Sequence, residues 1–216
     1  MSETTLHVFA RAPVPGQAKT RLISALGAHG AAELHARLVR HTLENALSAN
    51  IGRVTLWCAP DIHHPFFEQC AHEFGITLRA QQGADLGQRM AHALAFCMHD
   101  SKCALLIGTD CPMLDPAVLR CAADALKKDA AVVFVPAEDG GYALIGVRER
   151  VPAIFDGIAW GSDTVMAHTR NLLRSQSLDW HELSPLADID TPNDVQRLHQ
   201  THPDLLNGLI NLEMTP

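Results

Sequence analysis

Four consecutive apolar residues, Ala104 to Ile107, run directly into Gly108-Thr-Asp-Cys-Pro112, and this junction restricts the fold more than any other stretch. An uninterrupted apolar run of strand length predicts a strand buried on both faces, as in a parallel sheet covered by helices on each side. Gly108 and Pro112 stop the strand and leave Asp110 at its carboxyl end. In an open α/β sheet, ligands sit beyond that end. A second acidic segment lies far downstream, at Asp188-Ile-Asp-Thr-Pro-Asn-Asp194. Two such carboxylate positions suit a divalent cation that holds phosphate, because hard cations take oxygen ligands and Mg²⁺ shares its shell with substrate phosphate. Asp110 also has a purely structural alternative, since an Asp in this place caps the next turn.

The rest of the chain fits around such a sheet. Thr5 to Ala10 reads as a first strand, and Arg11-Ala-Pro-Val-Pro-Gly-Gln-Ala-Lys-Thr-Arg-Leu22 as a Pro/Gly-rich loop with three cations, Arg11, Lys19 and Arg21. A loop of this kind, opening into a helix, can wrap a polyphosphate with backbone N–H groups and guanidinium forks. It is not a Walker A motif, because Pro13 and Ala18 stand where that pattern needs Gly. A surface loop that is merely basic is the alternative. Apolar residues at Leu34, Leu38, Val39, Leu43, Ala46 and Leu47 predict a helix over 31–48, with His35 and His41 expected on its exposed side. Strands are expected over 53–59 and 76–81, with a short helix over 65–74 between them.

Gly83 and Gly87 then give a turn before a helix that carries Met90, Leu94 and Cys97. Asp85 and Arg89 are a polar pair at its amino end, which as a cap and an ion pair four residues apart is worth only about 0.3–0.5 kcal/mol. A helix over 116–128 and a strand over 131–136 precede Ala137-Glu-Asp-Gly-Gly-Tyr-Ala-Leu-Ile-Gly146, whose paired glycines predict a hairpin. Tyr142, the sole tyrosine, stands there near Glu138 and Asp139, in a turn whose acids and aromatic ring could accept a sugar or an alcohol. Residues 154–160 read as irregular, Ser162 as the cap of a helix, 178–183 as a last strand, and Thr191 as the cap of a final helix with Pro192 in its first turn. Strands alternating with helices predict an α/β fold: one mainly parallel central sheet with helices on both faces, in a single domain over 1–216.

Composition excludes several function classes. With 17 basic and 24 acidic residues the net charge is −7, which argues against a nucleic-acid-binding surface. No apolar run is long enough for a membrane span, and the opening Met-Ser-Glu-Thr-Thr has no basic region followed by an apolar core, so a cytoplasmic protein is expected. Six cysteines without a CxxC pair read as small hydrophobes in a reducing compartment, and thirteen histidines show no zinc spacing.

Taken together, FARAPVPGQAKTRL, QGADLGQRM, LLIGTDCPML, AEDGGYALIG and DIDTPNDV resemble, in this order, a bacterial family of glycosyltransferase-like proteins, the DUF2064 or selenodomain-associated transferase 1 group. The resemblance extends from about Val8 to Leu198. It implies a GT-A, Rossmann-like fold, the nucleotide-diphospho-sugar transferase architecture. It also implies that Asp110, in the GTDxP motif, and Asp190, in the DTPxD motif, bind a metal, Mg²⁺ or Mn²⁺, with Asp188 a weaker candidate. Lys19 and Arg21 match the KTRL signature, which is similar to that of phosphoenolpyruvate or phospholactate guanylyltransferases as well.

Two reactions follow as expectations. The first is metal-dependent glycosyl transfer from a nucleotide-diphosphate sugar to a small-molecule acceptor, with Asp139 as acceptor-side base and Tyr142 and Trp160 shaping the acceptor pocket. Arg11, Lys19, Arg21, Asp85 and Arg89 would then hold the nucleotide and its phosphates. The alternative is nucleotidyl transfer from an NTP to a phosphorylated small molecule, with release of pyrophosphate. The sequence leaves donor, acceptor and oligomeric state open, and a non-catalytic nucleotide-binding module is a third reading that the retained carboxylates and cations oppose.

Overall fold

A computed structural model describes residues 4–98, 101–148 and 152–209. Seven strands form one sheet: β1 (Thr4–Arg11), β2 (Val54–Ala59), β3 (Thr77–Ala80), β4 (Cys103–Ile107), β5 (Val132–Pro136), β6 (Tyr142–Val147) and β7 (Trp180–Glu182). Their order is β3-β2-β1-β4-β6-β5-β7. Pairing is parallel except where β6 meets β4 and β5. The turn at 137–141 is too short to cross the sheet, so β6 must return antiparallel, as the paired glycines predict.

Among the described residues six α-helices cover the sheet: α1 (Ile23–Ala49), α2 (Pro65–Phe74), α3 (Leu86–Cys97), α4 (Pro116–Lys128), α5 (Val165–Ser175) and α6 (Pro192–Thr201). The strands alternate between two apolar layers. Leu6 and Val8 of β1, Leu56 of β2, and Leu105 and Ile107 of β4 pack with α1, α2 and α4. Trp57, Leu106, Phe134 and Ile145 face the other way, onto α3 and α5. With both faces buried, β4 is apolar at every position, and its five residues are all buried.

Two helix starts differ from expectation. α1 begins at Ile23 rather than near 31, and Gly27, at φ 71°, interrupts it before the regular stretch. Thr164 occupies the N-cap position of α5 without a side-chain capping bond, while the Ser162 hydroxyl bonds Ala159 O and Thr164 Oγ1. His35 also departs from its expected exposed position, being 94% buried against β1, because the helix turns that side toward the strand end. His41 is half-buried and bonds Pro112 O. Among the described residues no helix is long and apolar enough to cross a membrane. All six cysteines are free; five are buried and Cys121 is exposed.

The connections place α1 and α2 on one face as the chain moves from β1 to β3, and α3 on the other as it returns to β4. The direction of winding therefore reverses between β1 and β4. At such a switch point the loops beyond the carboxyl ends part and leave a crevice.

Candidate active site

At the switch point the crevice is a cleft of about 560 Å³, running from Gln81 after β3, past Arg11 and Asp110, to Tyr142 and Trp160. Asp110 lies three residues beyond β4 and Asp190 just before α6. They are brought together by backbone and side-chain bonds at once. Ile189 N–H donates to Asp110 O at 2.8 Å, and the Cys111 thiol donates to Ala187 O at 2.9 Å. The Thr191–Asp194 capping box, in which Asp194 accepts from Thr191 N and Asp190 N, then holds the far side of the segment.

Lys19 joins the two carboxylates. Its ammonium meets Asp110 Oδ1 at 2.5 Å, Asp190 Oδ1 at 2.9 Å and Ile189 O at 2.5 Å, with only 4% of the side chain exposed. Burial alone would lower the Lys19 pKa, but Asp110 and Asp190 outweigh it and raise it. Burial likewise works to raise Asp110, and the Lys19 charge overcomes it, holding the carboxyl below its ordinary range. An ammonium has three hydrogens, and these three acceptors use them all. Lys19 therefore faces the carboxylates, not the open cleft where a phosphate contact was expected.

Arg11, at the exposed end of β1, and Arg89 on α3 both line the cleft. Arg21 is 73% exposed and stands 3.6 Å from Asp190 Oδ2. Asp85 caps α3 by accepting from Gln88 N at 2.8 Å, whereas Arg89 donates to Gly83 O, so the expected Asp85–Arg89 ion pair is replaced by two backbone contacts.

On the far side, Asp139 accepts from Gly141 N at 2.8 Å within the β5–β6 turn and lines the cleft with Asp188. Burial, then the Asp139 charge, pushes Asp188 up to about 6. This wall thus brings two carboxylates together. Tyr142 and Trp160 stand edge to face at 6.3 Å between ring centres. The Tyr142 hydroxyl is buried without a partner among the described residues, and its desolvation raises the phenol pKa, so it remains a proton donor.

Two glycines set this wall. A Cβ on Gly140, at φ 92°, would lie 2.1 Å from Asp163 O, and Gly140 O accepts from Met166 N, which docks α5 on the turn. A Cβ on Gly87 would lie 2.5 Å from Trp160 Nε1, so the indole rests directly on the first turn of α3. Gln81 and His35 are cleft-lining residues that the sequence reading did not single out. Gln81 lies inside the QQG stretch, but only the fold shows which way its amide points. The His35 Nε2 bond to Arg11 O, at 2.9 Å, fixes the end of β1.

The chain's likenesses agree with this geometry. Residues 42–162 match the family described as "Uncharacterized protein conserved in bacteria (DUF2064)". A crystal structure of a candidate nucleotide-diphospho-sugar transferase from Desulfovibrio desulfuricans G20 is similar over 93% of this chain and 88% of its own, at 33% identity and a TM-score of 0.85. The inositol-1-phosphate CTP transferase from T. maritima is similar over 98% of this chain and 99% of its own, with a TM-score of 0.63 at 13% identity. A CMP:2-keto-3-deoxy-manno-octonic acid synthetase complexed with CTP covers 94% and 99%, with a TM-score of 0.61 at 14% identity. At such identities the last two establish the fold alone. No curated protein matches the chain.

Proposed function

The chain belongs to the bacterial DUF2064 family, and from that membership and the cleft we propose a transferase that moves a sugar from a nucleotide-diphosphate donor to a small acceptor with Mg²⁺ or Mn²⁺. One observation carries the reading. Two carboxylates eighty residues apart, Asp110 and Asp190, meet on a single buried ammonium at the switch point, in a cleft with cations toward one end and acids with aromatic rings at the other. The relative from Desulfovibrio desulfuricans, designated a nucleotide-diphospho-sugar transferase candidate, supports a transferase that handles a nucleotide sugar.

The donor set fits a hard divalent cation. Asp110 and Asp190 each keep one oxygen that Lys19 does not use, and Asp188, pushed up to about 6 by burial first and then by the Asp139 charge, lines the same cleft. Among the described residues no group of three or more His, Cys, Asp or Glu is assembled as a metal site, so phosphate and water would have to supply the rest of the ion's shell. Bound there, the ion would neutralise charge developing on the departing diphosphate.

The chain's own residues then divide the work. Lys19 positions the two carboxylates, while Arg11, Arg21 and Arg89 offer guanidinium forks to phosphate. Asp85 holds the start of α3 and with it Arg89. Asp139 takes the proton of the acceptor hydroxyl as its oxygen bonds to the anomeric carbon and the bond from that carbon to the β-phosphate oxygen breaks. Tyr142 and Trp160 wall the acceptor and keep water from competing.

Incubation with metal and a panel of nucleotide sugars tests this reading, the expected product being a nucleoside diphosphate. Pyrophosphate released from an NTP and a phosphorylated acceptor, at a rate that Asp110→Asn abolishes, would establish nucleotidyl transfer instead.

A further inference from the structure

Charge is divided along the cleft. Of the described residues that line it, the only lysine or arginine side chains are Arg11 and Arg89. Arg11 ends β1, and Arg89 turns its Nε back onto Gly83 O in the connection from β3 to α3. The opposite end, beyond β6 and β5, is walled by Asp139, Asp188, Tyr142, Trp160 and Ser162. Because β4 separates β1 from β6, the Arg11 backbone is two strand spacings, roughly 10 Å, from β6. Two further cations lie close by but are committed elsewhere. Lys19 holds Asp110 and Asp190, and Arg197 donates to Glu138 Oε2 at 2.8 Å and to Asp194 Oδ1 at 2.9 Å. Neither lines the cleft.

The donors of this wall are used as well. Gly140 N–H donates to Ala137 O, Gly141 N–H to Asp139 Oδ1 and the Ser162 hydroxyl to Ala159 O. Asp139 keeps its second oxygen for a ligand, with the Asp188 carboxylate lining the same end. A diphosphate held between Asp110 and the arginine forks brings the group beyond its β-phosphate against this wall. Carboxylates there accept from hydroxyl or ammonium groups and repel a second anion. At about 6 Å and an effective dielectric of about 40, the repulsion from one carboxylate is worth roughly tenfold in affinity.

We propose that Asp139 and Asp188 select the transferred sugar by charge: it is a neutral or amino sugar, and sugars that bear a carboxylate or a phosphate are disfavoured. The same wall opposes the phosphorylated acceptor that nucleotidyl transfer would require. This assignment rests on the transferase reading above.

Calorimetric titration of the whole protein with Mg²⁺ tests it in two steps. UDP, GDP, ADP, CDP and dTDP first identify the best-bound diphosphate. That nucleotide is then titrated as its glucose, glucosamine and glucuronic acid conjugates, which share one ring and differ in charge. The glucuronic acid conjugate is expected to bind roughly tenfold more weakly than the glucose conjugate, and the glucosamine conjugate at least as tightly as glucose. Concentrated salt should narrow the gap, because screening weakens a charge effect and leaves steric exclusion unchanged. Asp188→Asn should narrow it too, and the series on the unaltered protein decides the matter even if that variant folds poorly. Equal affinities for the glucose and glucuronic acid conjugates, tighter binding of the latter, or a gap that salt leaves unchanged would overturn the charge selection and leave the transferase reading standing. Failure of every diphosphate to bind would remove both.

Discussion

Replacing Lys19 by Met keeps most of the side chain's bulk and removes the charge on which the candidate site converges. Three contacts go with it, to Asp110, Asp190 and Ile189 O. Removing one member of a fully buried ion pair costs about 3–5 kcal/mol. Here the carboxylates retain 52% and 33% of their exposure, so water takes over part of the missing partner's role. A loss of about 2 kcal/mol is therefore expected, which at this chain length is roughly 4–8 °C in Tm. The pH dependence is specific. Asp110 is held below its ordinary 3.8, so its share of the stability is complete above that value and disappears as pH falls through the lowered one. Lys19 is raised above its ordinary 10.5, so its share is complete below that value and is lost as pH rises through the raised one. The gap between the two proteins should be flat between about pH 5 and 9 and close in acid. Mn²⁺ should restore more stability to Lys19→Met than to the parent, since only the exposed Arg21 guanidinium, 3.6 Å from Asp190 Oδ2, is then left beside the freed carboxylates. Thermal melts across pH, with and without Mn²⁺, measure all three effects. Equal Tm values at pH 7, or a gap unchanged below pH 3, would refute the positioning role of Lys19.

Asp110→Asn should abolish metal-dependent nucleotide binding in a calorimetric titration while the protein still melts cooperatively, because Asn can still accept from Lys19; parental affinity would remove Asp110 from the metal site. Gly87→Ala should displace the Trp160 indole, shifting tryptophan emission and raising the acceptor KM, while the gain of about 1 kcal/mol in helix propensity offsets part of the stability lost; unchanged emission and KM would show that the indole does not shape the pocket. His7 is buried, accepts from Trp57 Nε1 and contacts Thr5 Oγ1; burial first, then the Arg79 and Arg53 charges, lowers it from its ordinary 6.5 to about 4. Its neutral form is the folded one, so its contribution is complete above 6.5 and is lost as pH falls toward 4, at most about 3 kcal/mol at 1.36 kcal/mol per pH unit. Denaturant titrations between pH 7 and 4 should show that decline, reduced in His7→Gln.

Much of the fold is legible because its signals are local. Asp115-Pro116 starts α4 and the last apolar turn ends it, so its span agrees with expectation to the residue, as does that of α2 after His64-Pro65. The paired glycines foretell the antiparallel return of β6. His35 escaped because helical periodicity does not say how far a neighbouring strand end reaches over the polar side of α1. The expected pairing of Asp85 with Arg89 failed because backbone groups at the start of α3 offered both side chains nearer partners.

The sequence by itself determined the layered α/β architecture, through apolar runs of strand length between amphipathic helices, and it marked Asp110 by its place after a strand, while the family resemblance pointed to Asp190 and to Asp139 as an acceptor-side base. Only the tertiary structure decided what those residues face. Lys19 reads as a phosphate cation in its loop, yet it lies on Asp110 and Asp190 because α6 and the segment before it fold across the β4 end. Gln81 reads as the last residue of a strand, yet carbonyls of two other strands accept from its side-chain amide. Strand and helix signals lie within ten or fifteen residues and persist in any context, whereas the direction of a hydrogen bond depends on atoms that only sheet order brings together.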